Sequence, residues 1–477
     1  MKLKFSYVAL YTIKLSMGRG HIMHIHILGI CGTFMGSLAQ LAKTLGHEVS
    51  GSDANIYPPM STQLKQSKVN LTVGYSDLSQ FTPTPDIVVI GNTLSRGNPA
   101  VEYVLTNNLK YTSGPQWLHD HLLQDKWTLA VAGTHGKTST SSMLVWILEY
   151  AEMKPGFLIG GIPNNFNISA RIGGSKFFVV EADEYDTAFF DKRSKFIHYS
   201  PQTLILNNLE FDHADIFKDI AAIQVQFHNL IRTVPNTGLL IAPSDDLNIS
   251  EVIDQGCWSN LEYIGKEKDW NLEFIDKSSS TFSILHKGEV KGSVSWTQTG
   301  DHNARNGLAA IAAANHIGVE PELACKALCN FLGVKRRMEK IFEVDGVTVY
   351  DDFAHHPTAI NATLEGLRAS IGSEKIVAVI EPRSNTMKIG IHKNEITEAI
   401  KLADEVLWYE PEEIGWSMQD TFDQSATKTH IFCDIDQLTR KAAKSISGST
   451  HIVIMSNGSF QGFHIKLIDE IKKNLAT

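Results

Sequence analysis

The chain has 477 residues and a mass of 52.8 kDa, a length that predicts about three domains. Hydrophobic residues make up 43% and charged residues 20%, a composition that excludes an intrinsically disordered chain. The formal net charge is −9 and no basic run extends beyond residues 335–337, so the sequence argues against nucleic acid as a partner. Five scattered cysteines without a C-x-x-C pair favour a reducing, cytoplasmic compartment.

The first 23 residues need an interpretation of their own. An apolar stretch at residues 5–13 is followed by Lys14, and no small-residue cleavage pattern comes after it. The stretch is also too short to span a bilayer, so we expect no insertion into a membrane. We expect residues 1–23 to be a disordered or mis-started extension, with Met17 and Met23 as alternative starts.

Beyond this extension, short apolar runs alternate with helical stretches, a pattern typical of parallel α/β folds. It divides the chain into units at residues 24–125, 126–336 and 337–477. We predict strands at residues 24–28, 47–50, 86–90, 128–132, 177–180, 204–206, 347–350, 376–380, 406–409, 430–432 and 451–455. Helices are predicted at residues 37–45, 141–150 and 302–316, followed by an alanine-rich helix, while residues 238–295 give no assignment.

A glycine-rich turn follows the first predicted strand and leads into a helix. Its glycines at Gly29, Gly32 and Gly36 do not match the G-x-G-x-x-G spacing of dinucleotide-binding folds. Asp53, about 20 residues further on, is suitably spaced to bond a ribose hydroxyl. The turn therefore favours a nucleotide diphosphate over NAD.

The strongest motif is the glycine–lysine turn at residues 133–139, between an apolar strand and a helix. Glycines let backbone N–H groups approach phosphate oxygens, Lys137 supplies a positive charge and Thr138 can ligate Mg²⁺. Val131 stands at the first glycine position of the longer P-loop pattern, so that pattern is incomplete. The context nevertheless predicts a phosphate-binding loop rather than an ordinary turn.

Acidic blocks follow the next two predicted strands, at residues 181–186 and 207–213. Ligands of open α/β sheets bind beyond the carboxyl ends of strands, where carboxylates can hold Mg²⁺ beside phosphates. The two blocks therefore predict a metal–phosphate site. For Asp183, Asp186 and Glu210 individually, a solvated charged loop is an equally good interpretation.

The third unit has two further polar groups at predicted strand ends. One strand is followed by two aspartates and two histidines, namely Asp351, Asp352, His355 and His356. A zinc site would need partner ligands at a spacing that the sequence lacks, so contacts to polar substrate groups or ribose are favoured. Arg383 follows another strand and suits a carboxylate or phosphate, although it could also form a surface ion pair.

Together these motifs resemble those of the Mur ligase family, the ATP-dependent amide ligases of peptidoglycan metabolism. The resemblance covers nearly all of the chain from His24 onward. It rests on G-T-x-G-K-[ST] at residues 133–138, E-A-D-E at 181–184, N-x-E-x-D-H at 208–213, H-N-x-x-N at 302–306, the arginines at 336–337 and the cluster at 351–357.

The resemblance implies a three-domain α/β architecture: a Rossmann-like N-terminal domain, a central P-loop ATPase-like domain and a Rossmann-like C-terminal domain. It also implies ATP as cosubstrate and Mg²⁺ as cofactor. Within the family, the chain is most similar to the branch that joins L-Ala-γ-D-Glu-meso-diaminopimelate to UDP-N-acetylmuramate in peptidoglycan recycling, through an acyl phosphate. The alternative is the branch that adds L-alanine. We expect a monomer or a weak homodimer.

The family's functional residues carry over by motif. The resemblance assigns ATP binding to Gly133, Thr134, His135, Gly136, Lys137, Thr138 and Ser139, with Asn303 at the adenine, Arg336 or Arg337 at the phosphates and Asp351 or Asp352 at the ribose. It assigns the UDP-sugar to Gly29, Cys31, Gly32 and Asp53, and the metal to Thr138, Glu181 and His213. The catalytic group would be Lys137, Glu181, His213, His355 and Arg383. Residues 220–230 contain no lysine that could be the carbamylated metal bridge of several Mur ligases.

Two functions from other classes explain less of the sequence. A P-loop ATPase that couples ATP to motion accounts for residues 133–139 but leaves the Gly29 turn and residues 351–357 without a role. A nicotinamide oxidoreductase, suggested by the first unit alone, does not explain the phosphate-binding loop.

Overall fold

The computed structural model describes residues 22–56, 60–214, 216–423 and 425–475. Nearly all of the extension predicted at residues 1–23 therefore lies outside the described residues. No helix within the described ranges is long and apolar enough to cross a membrane.

The N-terminal unit is a parallel five-stranded sheet with the strand order β3-β2-β1-β4-β5. Its elements are β1 (His24–Leu28), α1 (Thr33–Thr44), β2 (Glu48–Asp53), α2 (Met60–Gln66), β3 (Asn70–Val73), β4 (Ile87–Ile90), α3 (Pro99–Thr106), β5 (Tyr111–Ser113) and α4 (Gly114–Leu118). The central strands β1 and β4 pair in parallel and are almost wholly buried, as expected for a sheet covered on both faces. The strand order reverses between them, and the Gly29 turn lies at this switch point, where such sheets bind ligands.

The central unit contains a ten-stranded mixed sheet with the order β17-β16-β15-β14-β13-β12-β6-β9-β7-β8. Its elements are β6 (Trp127–Ala132), α5 (Lys137–Tyr150), β7 (Gly156–Leu158), β8 (Ala170–Arg171), β9 (Phe177–Glu181), β10 (Asp186–Ala188), β11 (Asp191–Ser194), β12 (Thr203–Leu206), α6 (Ile220–Ile231), β13 (Leu239–Pro243), α7 (Leu247–Asp254), β14 (Asn260–Ile264), β15 (Trp270–Phe274), β16 (Thr281–His286), β17 (Glu289–Ser295), α8 (Asp301–His316) and α9 (Pro321–Leu328). Strand β6 lies between β9 and β12 and runs parallel to both. The glycine–lysine turn and both acidic blocks therefore emerge at one edge of the sheet.

The C-terminal unit is a six-stranded sheet with the order β18-β19-β23-β20-β21-β22, parallel except for β18. Its elements are β18 (Glu339–Val344), β19 (Val347–Asp352), α10 (Pro357–Ile371), β20 (Lys375–Ile380), α11 (Asn385–Ile389), α12 (Lys393–Ala399), β21 (Glu405–Tyr409), α13 (Met418–Phe422), β22 (Lys428–Phe432), α14 (Ile435–Lys444), β23 (Thr450–Met455) and α15 (Phe463–Leu475). Because β23 lies between β19 and β20, the polar segments that follow these three strands come together.

The predicted fold class, three α/β units with largely parallel sheets, is confirmed. Helices α1 and α5 begin four residues before the predicted starts, because each is preceded by a glycine rather than by a residue whose side chain caps the helix. The unassigned stretch 238–295 forms β13, α7 and β14–β17. Its outer strands, such as β17, are largely exposed on both faces and so lack the alternation by which strands are recognised.

Candidate active site

The glycine–lysine turn between β6 and α5 has the backbone of a phosphate-binding loop. Gly133 and Gly136 have φ angles of +138° and +79°, which residues other than glycine rarely adopt. A Cβ atom at Gly136 would lie 2.6 Å from Oδ1 of Asn306, so the loop also has no room for one. No described side chain caps the N-terminus of α5, which leaves its N–H groups available to an anion.

Lys137 folds back onto this loop and pairs with a buried carboxylate. Its Nζ donates to O of Gly133 at 2.6 Å and to Oε2 of Glu184 at 2.8 Å. Burial opposes both charges, but the attraction between the two groups outweighs it and raises the pKa of Lys137. Against the same opposing burial, Lys137 and His213 lower the pKa of Glu184 to about 2. The pair is therefore fully charged at neutral pH.

Thr138 and Glu181 bring hard oxygen atoms together beside the loop. Oγ1 of Thr138 donates to Oε1 of Glu181 at 2.8 Å, and the backbone N of Gly160 donates to Oε2 at 2.7 Å. Neighbouring ligands of an octahedral magnesium ion are about 2.9 Å apart, so the Thr138–Glu181 spacing fits such an ion. Burial raises the pKa of Glu181, and a cation next to the carboxylate would offset that effect.

His213, the third predicted metal ligand, is engaged differently. Its Nε2 lies 3.0 Å from Oε1 of Glu184. Burial opposes a charged imidazole, yet the hydrogen bond and charge of Glu184 prevail and raise the pKa of His213. In this arrangement Nε2 carries the proton that faces Glu184, so a metal would bind at Nδ1 once that nitrogen has lost its own proton.

A cleft of about 240 Å³ lies between the central and C-terminal units. It is lined by Tyr185, His213, His355, Arg383, Ser384, Asn385, Thr386 and Asn457. The structure thus brings together three residues that the sequence predicted as catalytic, although they lie in three separate segments of the chain.

Two of these three residues, His355 and Arg383, belong to the C-terminal unit, and both have polar atoms free to contact a ligand. Nδ1 of His355 lies 2.9 Å from O of Phe353, which can only accept, so Nδ1 carries the proton and Nε2 is free to accept. Burial lowers the pKa of His355 to about 4, which keeps the ring neutral. The guanidinium of Arg383 makes no hydrogen bond or ion pair with any described residue. An exposed, unpaired cation of this kind suits a carboxylate or a phosphate.

Two threonines of the C-terminal unit bind carboxylates of the central unit across the cleft. Oγ1 of Thr386 donates to Asp212 and Oγ1 of Thr358 to Glu210, each at 2.8 Å. His135 of the phosphate-binding loop also bonds Glu210, with Nε2 3.1 Å from Oε2. The block at residues 207–213 therefore joins the loop to the C-terminal unit.

The neighbours Arg336 and Arg337 have different environments. The guanidinium of Arg336 bonds Asp351 through Nε and the carbonyl oxygens of Ser456 and Gly458 through Nη2. The guanidinium of Arg337 lies 4.8 Å from the ring centre of Phe353 and makes no hydrogen bond or ion pair with any described residue.

Burial lowers the pKa of Arg337 while the charges of Asp352 and Glu181 oppose that shift, so it lies close to the loop and its carboxylates. Of the two predicted arginines, Arg337 is the one free to bind a phosphate. Asp352 accepts from the backbone N–H groups of Met338 and Ala354, and Asp351 is bonded by Arg336 and His464. Both aspartates therefore support the domain link, and the contact of one of them with ribose stays a prediction.

A second pocket, of about 450 Å³, opens beside the phosphate-binding loop. Helix α8 contributes His302, Arg305, Asn306 and Ala309, which lie three to four residues apart and share a face. The predicted adenine ligand Asn303 is off this face, and its amide donates to O of Thr299 at 2.9 Å. The neighbours of Asn303, rather than Asn303 itself, line the pocket.

The remaining loop residues have local roles. Oγ1 of Thr134 accepts from the N–H of Glu210 at 2.9 Å, which ties the loop to the second acidic block. Ser139 lies in the first turn of α5.

The glycine turn of the N-terminal unit is held by Asp53. Its carboxylate accepts from the N–H groups of Cys31 at 2.9 Å and of Asn55 at 3.0 Å. Asp53 thus shapes the turn, and its contact with ribose stays a prediction. Burial, aided by the charge of Asp53, raises the pKa of the Cys31 thiol to about 11, so the thiol is neutral. Gly32 precedes α1, whose N-terminus has no side-chain cap and faces the turn.

Sequence reasoning missed two residues of this site. Glu184, the partner of Lys137 and His213, is the last residue of the E-A-D-E block, and only its burial distinguishes it from the neighbouring acids. Asn457 lies two residues after the end of β23, and its position near a strand end and next to a glycine was the available signal.

Comparisons with known proteins agree with this arrangement. Three family profiles match: "Mur ligase family, catalytic domain" over residues 24–126, "Mur ligase middle domain" over 131–314 and "Mur ligase, glutamate ligase domain" over 336–458. A relative from Escherichia coli, named UDP-N-acetylmuramate–L-alanyl-γ-D-glutamyl-meso-2,6-diaminoheptandioate ligase, is 55% identical over 94% of this chain and 99% of its own. A UDP-N-acetylmuramate–L-alanine ligase from Alkaliphilus metalliredigens is 30% identical over 83% of this chain and 84% of its own.

The crystal structure of a murein peptide ligase from Psychrobacter arcticus is also similar, with a TM-score of 0.73 and 45% identity. The match covers 94% of this chain and 98% of that one. The family profiles, the high identity over nearly the whole chain and the phosphate-binding loop lead to one conclusion: the chain belongs to the Mur ligase family.

Proposed function

We propose that the chain joins the tripeptide L-alanyl-γ-D-glutamyl-meso-diaminopimelate to the lactyl carboxylate of UDP-N-acetylmuramate, using ATP. The proposal is carried by one observation: the relative that is 55% identical over nearly the whole chain is a ligase for these substrates. The cleft that gathers His213, His355 and Arg383 next to the phosphate-binding loop supports it, because a ligase must bring a carboxylate, a phosphate and an amine together.

ATP binding is assigned to the loop and the pocket beside it. The loop N–H groups and Lys137 would hold the β- and γ-phosphates, and Arg337 is the additional cation without a partner among the described residues. The adenine would enter the pocket lined by His302 and Asn306. Thr138 and Glu181 would hold Mg²⁺, which when bound neutralises the charge of the phosphates.

In the first chemical step the lactyl carboxylate attacks the γ-phosphorus, giving an acyl phosphate and ADP. Lys137 and Arg337 would offset the negative charge on the transferring group. Lys137 is suited to this because Glu184 keeps it charged and aimed at the loop despite its burial. No covalent bond to the enzyme is needed.

In the second step the free amine of the L-alanyl residue attacks the acyl carbon, and phosphate leaves through a tetrahedral intermediate. The neutral His355 offers Nε2 as an acceptor for a proton of that amine. Arg383 would bind the phosphate or a carboxylate of the peptide. The contacts of Thr358 and Thr386 with the central unit would keep the cleft closed, so that water does not reach the acyl phosphate.

The glycine turn at Gly29 would receive the diphosphate of the UDP-sugar, because the N-terminus of α1 is uncapped there. A cytoplasmic location, where ATP and nucleotide sugars are available, is part of the proposal. The five cysteines, all free, agree with it.

The alternative acceptor is L-alanine, which the less similar relative uses according to its name. Phosphate release in the presence of ATP, Mg²⁺ and UDP-N-acetylmuramate distinguishes the two when the tripeptide and L-alanine are supplied separately. Release that depends on the tripeptide supports the proposal. Release that depends on L-alanine alone would show that L-alanine, and not the tripeptide, is the acceptor, while the proposed acyl phosphate chemistry would stand.

A further inference from the structure

The segment that follows β23 forms one wall of the cleft and is held by the rest of the C-terminal unit. Nη2 of Arg336 donates to the carbonyl oxygens of Ser456 at 2.6 Å and Gly458 at 2.8 Å. The hydroxyl of Ser456 bonds the buried carboxylate of Glu381 and accepts from the N–H of Gly458 at 3.0 Å. The backbone on both sides of Asn457 is therefore fixed.

Arg383 packs directly on this segment. A Cβ atom at Gly458 would lie 1.5 Å from Nη1 of Arg383, so the guanidinium occupies the space that a side chain at Gly458 would take. Asn457 and Arg383 consequently stand side by side in the cleft, with His213 and His355 also lining it.

The side chain of Asn457 is the polar group of this segment without a partner. Its Oδ1 is buried and accepts no hydrogen bond from any described residue, and its amide makes no other hydrogen bond within the described chain. Buried amide oxygens in folded proteins are almost always bonded, so an unpaired one in a cleft indicates a ligand that supplies the partner. The fixed backbone keeps Asn457 at the cleft.

We propose that Asn457 binds the peptide group next to the attacking amine of the acceptor and thereby selects a peptide over a free amino acid. A carboxamide presents one N–H side and one C=O side, which match the C=O and N–H of a peptide unit. Free L-alanine has a carboxylate in that position, which has no hydrogen to give to Oδ1. A site that hydrogen-bonds a substrate group discriminates strongly against an analogue lacking it. This inference rests on the proposed ligase function and names the residue that determines its acceptor.

The test compares the wild type with Asn457→Ala and the smaller polar change Asn457→Ser in two reactions. The first is acyl phosphate formation from ATP and UDP-N-acetylmuramate without acceptor, trapped by hydroxylamine as the hydroxamate. The second is amide formation with the tripeptide, with the dipeptide L-alanyl-γ-D-glutamate and with L-alanine. Asn394→Ala is the matched control, because Asn394 is exposed on α12 and does not line the cleft.

We expect both Asn457 variants to lower kcat/KM for the tripeptide and the dipeptide by about 10- to 100-fold, while the hydroxamate yield stays within about twofold of wild type. The residual rate with L-alanine should not fall, so the ratio of kcat/KM for the peptides to kcat/KM for L-alanine decreases. Equal losses with peptides and L-alanine, or wild-type kinetics in both variants, would overturn the inference. A wild-type protein that forms no hydroxamate would instead overturn the proposed function. For each variant, a hydroxamate yield near that of the wild type shows that the variant is folded.

Discussion

Nζ of Lys137 lies 2.8 Å from Oε2 of Glu184, and this ion pair is buried, with 12% of the lysine and 3% of the glutamate side chain exposed. The lysine of the phosphate-binding loop is thus positioned by an acid that comes from the end of a neighbouring strand. His213 bonds the other oxygen of the same carboxylate, so one buried acid links the loop to the cleft.

Glu184→Gln should damage both stability and turnover. Removal of one partner from a buried ion pair costs about 3–5 kcal/mol, and we expect about 3 kcal/mol of unfolding free energy here because glutamine keeps a hydrogen bond. Urea unfolding measures this loss, and ligation should fall together with it. Glu149→Gln, at the more exposed pair with Arg171, is the control. A Glu184→Gln protein as stable as that control would show that the pair has no structural role.

The pair of His213 and Glu184 makes stability depend on pH in a defined direction. The folded-state pKa of His213 is raised above its ordinary value of 6.5. Its contribution is therefore complete below about pH 6.5 and is lost as the pH rises through the raised pKa. The difference in unfolding free energy between wild type and His213→Gln should shrink between pH 6 and pH 9. A difference that grows over this range would mean that His213 is neutral in the folded protein.

The two neighbouring arginines should separate stability from activity. Arg336→Ala removes hydrogen bonds to Asp351 and to two carbonyl oxygens, so we expect the unfolding free energy to fall by about 2 kcal/mol. Arg337→Ala removes a cation without such partners, so stability should change little while kcat/KM for ATP falls about 100-fold. Thermal unfolding and steady-state kinetics on both variants test this. The opposite pattern would assign the phosphate contact to Arg336.

Part of the candidate site could be predicted from the sequence alone. The phosphate-binding loop was predictable because its glycines, lysine and threonine are contiguous and flanked by a strand and a helix. The proximity of His355 and Arg383 follows from a general property of parallel sheets, whose carboxyl strand ends share an edge. His213 comes from the sheet of the central unit, so its position in the same cleft depends on how the two units pack.

Side-chain direction was not predictable in the same way. Asn303 and Asn306 are in one motif, but only the turn of α8 decides that Asn306 lines the pocket. The spacing of Asp53 from the glycine turn was informative, but its hydrogen bond from the N–H of Cys31 depends on a backbone conformation that the sequence does not reveal. In each case the residue type was informative and its partner depended on tertiary contacts.

Closure of the cleft can be tested at Thr386. Thr386→Val keeps the shape of the side chain and removes its hydrogen bond to Asp212 across the cleft. We expect kcat to fall about three- to tenfold, as for loss of one such bond, and more phosphate to be released per amide formed, because water reaches the acyl phosphate. Thr439→Val, whose hydroxyl bonds only its own helix at Ile435, is the control. An unchanged ratio of phosphate to amide would mean that this contact does not govern closure.

The most direct test of the proposed ligase uses UDP-N-acetylmuramate with ¹⁸O in both oxygens of its lactyl carboxylate, together with ATP, Mg²⁺ and the tripeptide. If the carboxylate attacks the γ-phosphorus and the amine then displaces phosphate, every phosphate released carries one ¹⁸O atom and the amide keeps the other. Mass spectrometry of the phosphate and the product measures both. Unlabelled phosphate, or the absence of any amide product with the tripeptide, would contradict the account.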